Sequence, residues 1–290
     1  MSVCPLRIAV PRAYDPSVDQ VAKAELLRAL HTPGDPLVLV NAWDAASARV
    51  VVAAGAQAVG TSSAAAAYAL GYPDGERISR DDMLGYVATI VGAVDVPVTA
   101  DMEAGYGPAA EDASATARGI VGIGAVGFNM EDASGPGALL PVDAFVAKIE
   151  AVRSVSTETG VPLVLNARVD VFIEQIGEPD TRLEHAIERG RAYREAGADC
   201  VFVPVVTEAE TIRALVHGIG GWVSVLATPG ALPVTELARL GVARISTGSG
   251  PYRVALSSTK RMAEEVYGAG TFSSLAAGEI THAQAQQLLA

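Results

Sequence analysis

The feature that most constrains the fold is a glycine that recurs just before short β-branched runs. Gly55, Gly124, Gly197 and Gly241 each end a helix-like stretch and precede the runs QAVGTSS, VGFNMED, DCVFVPVV and ARISTG. Glycine directly after a helix favours the left-handed cap that ends it. Each of these positions therefore predicts a helix end followed by a strand.

Eight such strands can be counted along the chain. They are PLVLVNAW, AVGTSS, VPVTADME, VGFNMED, PLVLNARVD, DCVFVP, WVSVLAT and ARISTG. Continuous apolar strands that alternate with helices indicate a parallel sheet that is buried on both faces. Eight units predict an α/β fold of the (β/α)8 TIM-barrel type, and a doubly wound open sheet is the alternative.

The chain is longer than one barrel requires at both ends. The helical pattern VDQVAKAELLRALH precedes the first strand, and THAQAQQLLA follows the last one at residues 281–290. We predict one barrel domain over residues 1–290, with an N-terminal extension at 1–14 and a C-terminal helical tail at 268–290. A half-apolar tail of this kind is expected to pack on a neighbour, either in the same subunit or across an interface.

Charge and cysteine content exclude several classes of function. The formal net charge is −12, from 21 basic and 33 acidic residues, which argues against nucleic acid or an anionic membrane as a partner. The uncharged stretch 50–73 is rich in alanine and interrupted by glycine and proline, so it predicts no membrane span. Cys4 and Cys200 lie far apart, the N-terminus shows no secretion signal, and we predict a reducing, cytoplasmic location.

Acidic side chains follow several of the predicted strands. The segment TADMEAGYG, residues 99–107, places Asp101 and Glu103 two positions apart, so on one strand face, while Glu131 ends the fourth strand and Asp74 follows the second. Because the carboxyl ends of barrel strands form one mouth, these acids are expected to converge. Like charges repel, and a hard cation bound by oxygen ligands, Mg²⁺ or Mn²⁺, would relieve the repulsion. The alternative is that the acids cap helices or pair with basic residues.

Basic and polar groups are predicted at the same mouth. Arg168 and Asn166 share a face of the fifth strand, and the arginine fork matches a carboxylate. The alternative for Arg168 is a salt bridge to Asp170 or Glu131. Residues 61–63, Thr-Ser-Ser, offer backbone N–H groups and hydroxyls to a second anionic group.

Taken in order, these motifs resemble the isocitrate lyase/phosphoenolpyruvate mutase superfamily over residues 36–256. The matching segments are NAWDAASARVVVAAGAQAVGTSS, LGYPDG, TADMEAGYG, GFNMEDAS, NARVD and ADCVFVP. The resemblance implies a Mg²⁺-dependent barrel that acts on 2-oxo or 2-hydroxy carboxylic acids. It also implies a homotetramer, a dimer of dimers whose subunits exchange the last barrel helix.

The resemblance further implies roles for individual residues. Asp101 is implied as the direct metal ligand, with Glu103, Glu131 and Asp74 holding its waters, and Arg168 as the group that holds the substrate carboxylate and oxyanion. The implied substrate-binding set is Trp43, Thr61, Ser62, Ser63, Asn166 and Arg168.

The loop after the fourth strand departs from the superfamily pattern. Isocitrate and methylisocitrate lyases carry a Lys-Lys-Cys-Gly-His loop there, with the cysteine as the acid, and phosphonate-forming mutases carry a gating loop with lysine and asparagine. This chain has ASGPGALLP instead. In addition, Val205 follows Pro204 where several lyases have glutamate, and Ser249 stands where some decarboxylating members have histidine.

The prediction is therefore a Mg²⁺-dependent carbon–carbon lyase of a small 2-oxo or 2-hydroxy acid that works through a metal-stabilised enolate. Water, the substrate or Tyr106 would handle the proton. Two alternatives stay open: phosphorus–carbon chemistry of the phosphoenolpyruvate mutase or phosphonopyruvate hydrolase type, and a barrel that binds a 2-oxo acid without turning it over. The sequence leaves the identity of the acid open.

Overall fold

A parallel sheet of eight strands forms the centre of the molecule. The computed structural model describes residues 20–278 and 280–290. The strands of this main sheet are β1 (Leu37–Leu39), β2 (Val59–Gly60), β3 (Val98–Asp101), β4 (Gly127–Glu131), β7 (Val164–Arg168), β8 (Cys200–Phe202), β9 (Trp222–Leu226) and β10 (Arg244–Ser246). Two further strands, β5 (Ala133–Gly135) and β6 (Ala138–Leu139), form a separate hairpin. The order in the main sheet is β1-β10-β9-β8-β7-β4-β3-β2, with parallel pairing throughout.

One bridge closes this sheet into a barrel. Just beyond β1 and at the end of β2, the backbone N–H of Ala42 donates to the carbonyl of Gly60 at 2.9 Å, in a parallel bridge between Ala42 and Thr61. The (β/α)8 barrel predicted from the sequence is confirmed, and the open doubly wound alternative is wrong. All eight predicted strands are present. The antiparallel hairpin β5–β6, which lies in the loop ASGPGALLP, is an addition that the sequence did not predict.

Helices surround the barrel and connect its strands. They are α1 (Gln20–Ala29), α2 (Ala45–Ala53), α3 (Ser63–Ala69), α4 (Arg80–Val91), α5 (Ala110–Gly122), α6 (Val142–Thr159), α7 (Arg182–Glu195), α8 (Ala209–Ile219), α9 (Val234–Arg239), α10 (Gly250–Ala269) and α11 (His282–Leu289), with a 3-10 helix at Ser273–Ala277. The residues of β4, β7 and β8 are buried almost throughout, because helices cover the outside of the barrel and side chains fill its inside. None of the helices in the described ranges has both the length and the apolar character needed to cross a membrane.

Helix α1 closes the amino-terminal end of the barrel. His31, just after α1, stacks on Trp222 at the start of β9, with ring centroids 5.0 Å apart. At Gly127, the first residue of β4, an added Cβ would lie 3.0 Å from Leu27 of α1 and 2.6 Å from the carbonyl oxygen of Val164, so only glycine lets α1 and β7 approach this closely. The carboxyl ends of the strands therefore form the open mouth.

Helix α10 does not pack on its own barrel as the other long helices do. None of its twenty residues, all of which are described, is buried, and Val254 is 67% exposed. The outer face beside β1 is correspondingly bare, with Val38 and Val40 exposed. A helix with exposed apolar side chains and a bare apolar strand face in one chain are what an exchange of α10 between subunits would leave. A single chain cannot test that exchange, so it stays a prediction.

The C-terminal tail packs within the same subunit. Leu288 of α11 is buried, and its carbonyl oxygen accepts a hydrogen bond from Nη1 of Arg49 in α2 at 3.2 Å. The sequence left two possibilities for this segment, packing in the same subunit or across an interface, and the structure shows the first. The predicted N-terminal extension, 1–14, lies outside the described residues.

Candidate active site

Asp101 ends β3 at the barrel mouth with one carboxylate oxygen engaged and the other free. Its Oδ2 accepts hydrogen bonds from the backbone N–H and the hydroxyl of Ser63 at 3.1 and 2.9 Å. Its Oδ1 is buried and has no hydrogen-bond partner among the described residues. Since buried polar atoms are normally paired, this oxygen is a candidate ligand atom.

The three polar residues after β2 hold Asp101 and the next helix in place. The hydroxyl of Thr61 accepts a hydrogen bond from the backbone N–H of Asp101 at 2.9 Å, and the hydroxyl of Ser62 caps α3. Ser63 binds the Asp101 carboxylate directly, as described above. The structure thus brings Thr61, Ser62 and Ser63 to the site, where their hydroxyls are engaged with protein groups.

The chain turns sharply after Asp101, and this corrects the expected strand geometry. Strand β3 ends at Asp101, and Glu103 lies in a turn with φ 49°, so the two carboxylates do not share a strand face. The Oε2 atom of Glu103 accepts a hydrogen bond from the backbone N–H of Glu76, whose Oε1 accepts one from the N–H of Tyr106 at 2.9 Å. Glu76 therefore links the loop after α3 to the loop after β3, and sequence reasoning missed it.

The carboxylates at the mouth nevertheless influence one another. Burial raises the pKa of Glu103 to about 7, against the hydrogen bond from the Glu76 N–H, and the charges of Asp101 and Asp74 contribute to the increase. Partial desolvation and the charge of Asp101 raise the pKa of Asp74 as well. Accumulated negative charge of this kind favours a cation.

Arg168, at the end of β7, pairs with two acids of the protein itself. Its Nε and Nη2 atoms donate to the two carboxylate oxygens of Asp170 at 2.6 and 2.8 Å, and Nη1 forms an ion pair with Glu131 of β4. These are the salt bridges that the sequence left as the alternative. Nη1 and Nη2 each carry a second N–H, so the pairing leaves donors for a ligand.

Asp170 is itself held from behind by a buried network. Its backbone N–H donates to Oδ1 of Asp132 at 2.9 Å. The other oxygen of Asp132 accepts from the hydroxyl of Tyr193 at 2.7 Å and from Nη1 of Arg189 at 3.1 Å. The orientation of Arg168 thus depends on residues of α7. They lie outside the motif that contains Arg168, so that motif did not reveal this network.

Tyr106 brings a buried hydroxyl toward these acids. Its backbone has φ 62°, and its hydroxyl has no partner within the described part of the chain. Burial and the charges of Glu103 and Asp101 raise its pKa above the usual value, so the hydroxyl keeps its proton.

A second polar layer lies deeper in the barrel. Asn166 of β7 donates to Oδ1 of Asn129 in β4 at 2.8 Å, and Nη2 of Arg244 in β10 donates to the same atom at 3.1 Å. All three are buried. Asn166 therefore faces the barrel interior below Arg168. Arg244 was not predicted, although an arginine inside an apolar strand is the signal that could have found it.

Trp43 lies at the mouth near the first turn of α10. Its ring contacts Tyr252 edge-on, with centroids 5.6 Å apart and an interplanar angle of 72°. Its backbone N–H donates to the hydroxyl of Ser47, which is part of the capping box of α2. A substrate contact by Trp43 stays a prediction.

A cavity of about 560 Å³ opens beside the acids. Its wall combines the loop that contains Asp74 and Glu76, the acids Glu103 and Glu131, and the β5–β6 hairpin. The hairpin therefore stands where a reacting group from the loop after β4 would be expected, and it contains no cysteine, lysine or histidine.

The donor set fits a hard divalent cation. Its members are carboxylate oxygens, and the buried free Oδ1 of Asp101 is where a direct ligand would be expected. Within the described residues, no group of three or more His, Cys, Asp or Glu side chains could bind one ion together. Mg²⁺ keeps several waters, so one direct protein ligand is compatible with it.

Comparison with known proteins agrees with this fold and identifies the family. The family model described as phosphoenolpyruvate phosphomutase matches residues 27–267. The chain belongs to the phosphoenolpyruvate phosphomutase family. Its relatives and structural neighbours are members of the isocitrate lyase/phosphoenolpyruvate mutase superfamily, whose members are lyases or mutases, so the resemblance in the motifs is confirmed.

Three similar proteins illustrate the family's range. An uncharacterised protein of Mycobacterium tuberculosis is 35% identical over 238 residues, 82% of this chain and 87% of its own length. The 2-methylisocitrate lyase of Escherichia coli is 31% identical over 250 residues, 83% of this chain and 81% of its own length. A crystal structure from Burkholderia cenocepacia J2315, provisionally described as a lyase/mutase, superposes with a TM-score of 0.87 at 36% identity and covers 93% of this chain and 96% of its own.

Proposed function

We propose that this family member is a Mg²⁺- or Mn²⁺-dependent carbon–carbon lyase that acts on a small 2-oxo or 2-hydroxy carboxylic acid through an enolate. One observation carries the proposal. Asp101 ends its strand with one buried carboxylate oxygen that has no partner in the described ranges, beside Glu103 and Asp74, whose pKa values are raised by burial and further by the charge of Asp101. Relatives that are named for lyases and mutases of small acids support it.

The carboxylates are assigned according to their contacts. Asp101 would hold the ion directly through Oδ1, while Glu103, Glu131 and Asp74 would hold its waters. A bound ion would supply the positive charge that stabilises an enolate oxygen. Ser63 and Thr61 keep Asp101 from rotating away, because each bonds a different group of it.

Arg168 is assigned to the substrate carboxylate. Asp170 binds it in a bidentate manner and Glu131 binds Nη1, so the plane of the guanidinium is fixed before a ligand arrives. Its two remaining N–H groups can then donate to an anion without reorganisation. Trp43, Thr61, Ser62, Ser63 and Asn166 complete the proposed substrate-binding set.

The proton would be supplied without the usual lyase loop. The β5–β6 hairpin contains none of the side chains that act as acids in related loops. The hydroxyl of Tyr106 is buried, keeps its proton and is influenced electrostatically by Glu103 and Asp101. We assign to it the transfer of a proton between substrate and water.

We also propose a homotetramer in which pairs of subunits exchange α10, and a cytoplasmic location. The first is supported by the exposed Val254 of α10 and the bare Val38 and Val40. The second is supported by Cys200, which is buried and unbridged.

The function is tested by following product release from a panel of acids: oxaloacetate, 2-methylisocitrate, 2,3-dimethylmalate and phosphonopyruvate. Each is assayed with Mg²⁺ and with a chelator, and with the Asp101→Asn variant. Metal-dependent release of a 2-oxo acid, lost in the variant, would support the lyase. Release of phosphate from phosphonopyruvate alone would favour phosphorus–carbon chemistry instead, and tight oxalate binding without any turnover would favour a binding protein.

A further inference from the structure

Four successive carbonyl groups in the acidic loop, residues 104–107, accept hydrogen bonds from side chains of three helices. Nζ of Lys148 donates to the carbonyl groups of Ala104 and Gly107, the latter at 2.7 Å. Oγ1 of Thr116 donates to the carbonyl of Gly105 at 2.8 Å, and Nη2 of Arg80 donates to that of Tyr106 at 2.7 Å. Every peptide of the loop is thus attached to α6, α5 or α4. A surface loop normally leaves its carbonyl groups to water.

Lys148 is the least expected of these donors. It is fully buried, and it lies on α6 in register with Phe145, Ile149 and Val152, which form the buried apolar stripe of that helix. Burying an ammonium group is unfavourable unless its N–H groups are paired. Here the partners are the carbonyl groups of the loop, so Lys148 and the loop require each other.

The loop also needs external support because of its backbone. Glu103 and Tyr106 have φ of 49° and 62°, a left-handed conformation that side chains disfavour, and Gly105 and Gly107 have φ of 90° and 142°. Such conformations persist when the surroundings determine them. Within the loop itself, the backbone N–H of Gly105 donates to the carbonyl of Met102 at 2.9 Å, and the side-chain donors add a contact at each of the four carbonyl groups named above.

We propose that Lys148, assisted by Thr116, is a positioning residue that holds the acidic loop in the conformation presenting Glu103 and Tyr106 to the candidate site. What those two residues do there rests on the proposed function. The positioning itself rests on the contacts alone and can be tested without a substrate.

The test uses the full-length protein and the variants Lys148→Met, Lys148→Arg and Thr116→Val. Lys260→Met serves as the matched control, because Lys260 forms an exposed ion pair with Glu264 on α10. Two quantities are measured: amide hydrogen exchange of residues 103–107 in the metal-free protein, and Mn²⁺ affinity by electron paramagnetic resonance. The amides of Gly105 and Tyr106 are suited to the first, because Gly105 donates to the carbonyl of Met102 and Tyr106 donates to the Glu76 carboxylate.

In Lys148→Met, exchange of residues 103–107 is expected to accelerate on the order of tenfold or more, with Mn²⁺ binding weakened to a similar degree, while exchange in β7 and β8 stays unchanged. Lys148→Arg should show a smaller change than Lys148→Met in both loop exchange and Mn²⁺ affinity. Lys260→Met should change neither quantity. Unchanged exchange and unchanged Mn²⁺ affinity in a folded Lys148→Met would overturn the proposal. If Lys148→Met does not fold, Thr116→Val decides the question. Several-fold faster loop exchange is expected in it, and unchanged exchange would overturn the proposal. Faster loop exchange in a protein that turns over no acid would support the positioning and contradict the proposed function, so the two fail separately.

Discussion

His31 should make the folded protein sensitive to acid. Its ring is 2% exposed, stacks on Trp222 and bonds the carbonyl of Leu27 through Nδ1 at 2.8 Å, and its Nε2 has no partner in the described ranges. Burial, with a contribution from Arg244, lowers its pKa from 6.5 to about 3. Between pH 6.5 and about pH 3, His31 is therefore protonated in the unfolded chain but not in the folded chain.

The size and sign of the effect follow from that difference. The stability contribution is fully present above pH 6.5 and is lost as the pH falls toward 3. Two pH units below the unfolded pKa, near pH 4.5, the loss is about 3 kcal/mol. In His31→Phe the ring stack with Trp222 is kept and the titration is removed, so this variant should lack that part of the pH dependence.

The assay is urea unfolding of both proteins at about pH 7 and pH 4.5. The quantity compared is the change in the free energy of unfolding between the two pH values. Acids elsewhere in the chain contribute equally to both proteins and cancel in the comparison. The same loss in the wild type and in His31→Phe, within about 0.5 kcal/mol, would refute the reasoning.

Three further substitutions test the site and the assembly. Arg168→Met should lower the free energy of unfolding at neutral pH by about 3–5 kcal/mol in urea titrations, because Glu131 and Asp170 lose their partner. Gly107→Ala should cost at least about 2 kcal/mol by the same measurement, because φ is 142° and the new Cβ would stand 2.2 Å from a carboxylate oxygen. Val254→Asp should reduce the oligomer size seen by sedimentation, because a charge would enter the face proposed to be exchanged.

Each of these has a matched control. Arg213→Met removes an exposed ion pair and should change the free energy of unfolding by less than about 1 kcal/mol. If Arg168→Met cost no more than Arg213→Met, that result would contradict the buried network. Gly137 has φ 68° with no atom within 4 Å of an added Cβ, so its alanine variant should cost about 1 kcal/mol. Thr157→Asp on the exposed side of α6 should leave the oligomer intact. A Val254→Asp protein of unchanged size would rule out α10 as the contact.

The barrel was readable from the sequence because its signals are local. Gly124 and Gly241 do end helix-like segments, with φ of 84° and 87°, and a strand follows each. The hairpin β5–β6 was missed because two- and three-residue strands around Gly-Pro-Gly produce no periodicity.

The sequence predicted which residues gather at the barrel mouth, but it predicted less of their geometry. Asp101 and Arg168 could be placed at the mouth, because parallel strands end on one side. The turn that takes Glu103 out of the strand involves Glu76, which is distant in sequence. The pairing of Arg168 with Asp170 and Glu131 was one of the alternatives that the sequence left open, and the structure shows it. Lys148 gave one signal that could be read in retrospect, a lysine in the apolar stripe of an amphipathic helix.

Exchange of the methyl protons of pyruvate in D₂O tests, without knowledge of the substrate, whether this site stabilises an enolate with the help of a divalent ion. We expect the pyruvate methyl signal in the proton spectrum to decay with protein and Mg²⁺, and chelator or Asp101→Asn to return the decay to the uncatalysed rate. Decay at the uncatalysed rate with Mg²⁺-loaded wild-type protein would contradict it.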